Sequence, residues 1–67
     1  MEALKQYIID FSNKNGKYAS MCIINVAKAL NIDEDTLDVM LRKLVADEFI
    51  ICSLPADNKI YEFYLNQ

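Results

Sequence analysis

Few side chains in this sequence are suited to chemistry. There are two cysteines, Cys22 and Cys52, no histidine, and a run of acids at Asp33, Glu34, Asp35 and Asp38. A thiol nucleophile needs a base beside it, and no imidazole is on offer. The cysteines stand 30 positions apart, and neither has a second sulfur at metal-chelating spacing. A disulfide or redox pair is one reading of them. Two free thiols acting as small buried apolar side chains is the preferred one. The acids lack the loop spacing and glycine of a calcium site, and no glycine-rich phosphate loop occurs. A domain of 67 residues also has little room for a substrate pocket. The expectation is a non-catalytic protein with no metal and no cofactor.

The acids point instead to the start of a helix. In "NIDEDTLDVMLRK", residues 31–43, Asp33 is placed to accept an early backbone N–H as an N-cap. Glu34 and Asp35 would oppose the positive end of the helix dipole, for about 0.3–1 kcal/mol each. Asp38 lies beyond the first turn, where neither role applies. Leu37, Met40, Leu41 and Leu44 repeat one apolar stripe, so this helix is expected to run to about Glu48.

Two further helices precede it. Leu4, Ile8 and Phe11, with Tyr7 and Ile9 beside them, predict a first helix over 2–14 that stops at Asn15 and Gly16. "KYA" reads as a short extended piece. Ser20 would cap a second helix whose buried face is Ile23, Val26, Ala27 and Leu30. Asn31 ends it, leaving a tight turn in which Ile32 points inward. Beyond the third helix, "FIICSL" and "IYEFYL" read as two strands around "PADNK", with Pro55 in the turn. Tyr61 and Phe63 would fill the space between this hairpin and the helices. Tyr64, on the opposite strand face, would be exposed beside Ile60 as part of a protein contact. The whole chain, 1–67, is thus read as one α+β domain: a winged helix-turn-helix of three helices with a C-terminal β-hairpin wing.

The net charge is −3 and the pI about 4.6, which argues against phosphate-driven binding without excluding a local basic patch. No apolar run is long enough to span a bilayer. The opening "MEALKQYIID" also lacks the basic-then-apolar order of a signal peptide, so a soluble cytoplasmic protein is expected.

In winged-helix DNA readers the third helix enters the major groove, and the corresponding positions here are Glu34, Asp35, Asp38, Val39 and Arg42. Phosphate and guanine contacts want Arg or Lys, and adenine wants Asn or Gln. Three carboxylates and a valine suit neither. They suit a larger protein partner with a basic patch, with Asn58 and Lys59 at the wing tip completing the surface. The alternative is a transcription regulator that binds duplex DNA as a homodimer through Lys14, Lys17, Arg42, Lys43 and Lys59. A third option is a subunit of an assembly with no regulatory activity of its own.

Three stretches also carry a family likeness. "MEALKQYIIDFSNKNGK" at the start, "LVADE" at Leu44 to Glu48 and the closing "YEFYL" resemble the small D protein associated with dissimilatory sulfite reductase. The middle, "SMCIINVAKALNIDEDTLDVM", is closer to an ordinary helix-turn-helix. The resemblance implies a cofactor-free protein of sulfate-respiring cells that binds and modulates the siroheme and iron–sulfur enzyme.

Overall fold

The computed structural model describes the backbone of residues 2–56 and 59–66 and the side chains of 2–52 and 60–66. Helix α1 spans Glu2–Asn15, strand β1 Met21–Cys22, α2 Ile23–Leu30, α3 Glu34–Ala46, β2 Ile50–Ala56 and β3 Lys59–Leu65. The strands form an antiparallel sheet in the order β1-β3-β2. Three helices with a three-stranded antiparallel sheet are compatible with the expected winged helix-turn-helix. The core is built from Leu4 and Ile8 of α1, Ile23 and Val26 of α2, Leu37, Leu41 and Leu44 of α3, and Phe63 and Leu65 of the central strand.

All three helices end on a left-handed residue. Gly16 (φ +105°) closes α1, its N–H reaching the Ser12 carbonyl at 2.8 Å. Asn31 (φ +55°) closes α2, with the next amide, Ile32, returning to Ala27. Glu48 (φ +61°) closes α3 in the same manner: its own N–H reaches Val45, and that of Phe49 reaches Leu44. This turn is why α3 stops at Ala46 rather than at Glu48.

The extended piece before α2 lies later than "KYA". Met21 is buried and pairs with Phe63, and Cys22 pairs with Glu62, so the chain is drawn straight along β3 up to the first residue of α2. Ser20 is therefore not the cap. Cys22 takes the N-cap position without a side-chain bond, and the Ser20 hydroxyl donates to Glu62 Oε1 at 3.2 Å.

The hairpin also departs from plain alternation. Its ladder runs Ile50–Leu65, Ile51–Tyr64 and Cys52–Phe63, then shifts twice, through Leu54–Glu62 to Pro55–Ile60. The second shift leaves Tyr61 out of the ladder and reverses the facing of β3 beyond it. Ile60 is consequently buried and Tyr61 exposed, the reverse of the expectation for that pair. Tyr64 is half-buried, its ring edge-on to Tyr18 at 6.2 Å, so the expected exposed pair of Ile60 and Tyr64 does not exist. Pro55 lies within β2, not in the turn, and β2 is an edge strand where a missing N–H is tolerated.

Candidate functional site

Helix α3 buries Leu37, Leu41 and Leu44, so its opposite side is set by the helical period. Asp35, Val39, Arg42 and Ala46, at i, i+4, i+7 and i+11, form an exposed ridge, with Glu34 at its N-terminal end and Lys43 along its flank. Asp33 caps the helix as expected: Oδ2 accepts from the Asp35 amide at 3.0 Å and the Thr36 amide at 3.4 Å. Val39 is 60% exposed, a large apolar side chain in the middle of a polar ridge.

Asp38 is the correction. It was expected on this surface, but it is 9% exposed and faces the hairpin. Oδ1 accepts from the Ile60 backbone N–H at 2.9 Å, and Oδ2 accepts from Arg42 Nε at 2.8 Å. The physical reason lies in the sheet. β1 is only two residues long and covers β3 at Glu62 and Phe63. At Ile60 that side of β3 has no strand neighbour among the described residues, and Asp38 supplies the acceptor that a strand would have given. A buried carboxylate needs such partners, and the Arg42 guanidinium, whose side chain is 51% exposed, compensates its charge from the solvent side.

Of the expected contact residues, Glu34, Asp35, Val39 and Arg42 are thus brought together on one exposed surface. Asn58 lies outside the described residues, and Lys59 is placed only by its backbone at the start of β3. The cations of the DNA reading are spread over separate elements. Lys14 is in the last turn of α1, Lys17 sits over the Tyr18 ring at 5.0 Å, and Arg42 and Lys43 are on α3.

Sequence reasoning missed two partners in this region. The Ile60 amide is invisible to any pattern of side chains. Tyr18, 70% exposed with its ring edge-on to Tyr64, falls in the stretch read only as a short extended piece.

The cysteines are free. Cys22 flanks β3 from one side and Cys52 from the other. Their α-carbons are therefore two strand spacings apart, roughly 9–10 Å, beyond the ~7 Å a disulfide can bridge. Among the described residues no group of three His, Cys, Asp or Glu side chains could hold a metal ion. An open depression of about 390 Å³ lies beside the α2–α3 turn, lined by Ile24, Ala27, Lys28, Asn31, Ile32, Asp33 and Glu34. Among the described residues no helix is long and apolar enough to cross a membrane.

Comparison with known proteins finds no matching family model, no matching curated protein and no matching solved structure.

Proposed function

We propose that this chain is a non-catalytic winged-helix protein that binds and modulates a larger protein partner through the exposed ridge of α3. One observation carries the reading: the basic side chain in that ridge, Arg42, already holds a carboxylate of its own helix at 2.8 Å, while Val39 beside it is bare. A DNA backbone brought against this surface meets Glu34, Asp35 and a guanidinium whose charge is partly spent. A protein surface with an apolar contact rimmed by Lys or Arg meets its complement, with Val39 inserting and the acids pairing at the rim. On the sequence alone, Asn58 and Lys59 are proposed as further partner contacts. Asp38 acts indirectly, by holding Arg42 and the wing in place.

The partner suggested by the sequence likeness is dissimilatory sulfite reductase. Titration calorimetry of the chain into that enzyme tests the reading, with Val39→Asp as the matched variant. Binding by the native chain that is lost in the folded variant is the expected result. Fluorescence anisotropy with random duplex DNA at ~50 and ~200 mM salt tests the competing reading, because phosphate-driven affinity drops by orders of magnitude over that interval. Salt-sensitive binding to DNA would overturn the proposal in favour of a transcription regulator.

A further inference from the structure

We propose that the free edge of β2 is the contact surface of a homodimer, formed by antiparallel pairing of two β2 strands about a two-fold axis at Ile51. The argument begins with the two edges of the sheet. β1 is two residues long and runs directly into α2, so it offers almost no template. β2 has seven residues, Ile50–Ala56, and its sequence "IICSLPA" contains no charged residue. Edge strands ordinarily defend themselves with charge, proline, bulges or brevity. In β2 the defences are confined to the C-terminal half, where Pro55 and both register shifts lie. Ile50 to Cys52 is regular, uncharged and undefended.

The phase of the ladder indicates which groups are available. The Asn66 amide donates to the Phe49 carbonyl at 3.0 Å, so Phe49 faces β3 with its hydrogen-bonding groups. In an antiparallel ladder this role alternates, so Ile51 also bonds to β3, while Ile50 and Cys52 turn their N–H and C=O outward. A strand laid along that edge would exchange bonds with Ile50 and Cys52 and bring its own side chain close to Ile51, which is 38% exposed.

The side-chain pattern points to a second copy as that strand. Ile51 pairs across the sheet with Tyr64, and the Tyr64 ring meets Tyr18. These three make an apolar row perpendicular to the strands, ending abruptly at the free edge. A two-fold axis at Ile51 places the same row in line with it, giving Tyr18–Tyr64–Ile51 continued by Ile51–Tyr64–Tyr18 of the other copy. The pairing is isologous and closes at two copies, because Pro55 and the short β1 leave nothing to extend it. Each chain carries a net charge of −3, so screening by salt strengthens this association, whereas salt weakens binding to DNA. The surface is separate from the α3 ridge and does not depend on the function proposed for it.

Sedimentation velocity of the full chain, loaded from about 10 μM to about 1 mM, tests the proposal, a range that brackets weak association. The native chain is expected to sediment faster as concentration rises, and Ile51→Lys to remain monomeric with an unchanged far-ultraviolet circular dichroism spectrum. Val39→Lys, altered on the α3 ridge, is expected to self-associate as the native chain does. Amide exchange on the native chain gives a readout that needs no variant: Ile50 and Cys52 gain protection with concentration. A native chain that stays monomeric at the highest loading would overturn the proposal, whether the edge is then bare or reserved for a foreign peptide. So would an Ile51→Lys variant that dimerises unchanged, or amides at Ile50 and Cys52 whose exchange ignores concentration.

Discussion

Asp33 and Asp38 are the same side chain on the same helix, and they do unlike work. Asp33 sits in solvent and closes two backbone amides of its own first turn. Asp38 is buried, reaches 22 residues along the chain to the Ile60 amide, and is charge-balanced by Arg42. The first bond is local, and its loss frays one helix end. The second joins α3 to the hairpin, and its loss leaves a buried amide and a half-buried guanidinium without their acceptor. An acidic run that looks like one feature is therefore two devices, one for the helix and one for the tertiary fold.

Substitutions can separate them. Asp38→Ala is expected to cost about 3 kcal/mol, because it strands a buried donor as well as deleting a bond. For so small a domain that corresponds to a fall in Tm of about 15 °C, readable in a thermal or urea melt. Asp38→Asn keeps an oxygen for Ile60 and should lose roughly half as much. If Asp38→Ala costs no more than Asp33→Ala, the contrast fails.

Asp33→Ala is expected to cost about 1 kcal/mol, the usual loss of an N-cap, with Asp33→Ser restoring most of it. Native-state amide exchange should localise the effect to Asp35 and Thr36, whereas Asp38→Ala should loosen Ile60.

Arg42→Ala comes next, at about 0.5 kcal/mol, since the guanidinium is half exposed and water screens it. In the Asp38→Ala background the same change should cost nearly nothing, and that non-additivity in a double-mutant cycle measures the pair. Val39→Asp is expected to shift stability by less than about 0.5 kcal/mol while sharply weakening partner affinity. A large loss of stability instead would assign Val39 to packing rather than docking.

Much of the fold was legible because it rests on local rules. The apolar stripes, Asp33 as cap and Asn31 as the end of α2 are each settled within a turn of chain, and all three stand in the structure. The expectations that failed depend on residues far apart in sequence. Ser20 lost its capping role because Met21 pairs with Phe63. Tyr61 and Ile60 exchanged faces because the ladder shifts beside them, and Asp38 turned inward because β1 ends short of Ile60. Even so, Asp38 left a trace in the sequence: it was the one acid that neither capping nor the helix dipole accounted for.

The two register shifts in the hairpin oppose one another. Between the Cys52–Phe63 and Pro55–Ile60 pairs each strand holds two residues, so the offset opened on one strand is closed on the other. This constrains how the gene can change length. Losing one residue from each strand there, Ser53 with Tyr61, would yield a plain ladder that still presents Ile60 to α3. Losing only one would slide the remainder of the hairpin by a step and set the wrong backbone group against the Asp38 carboxylate. Deletions in this stretch should therefore survive in matched pairs and be eliminated singly, a signature to seek in a library of deletion variants selected for folding.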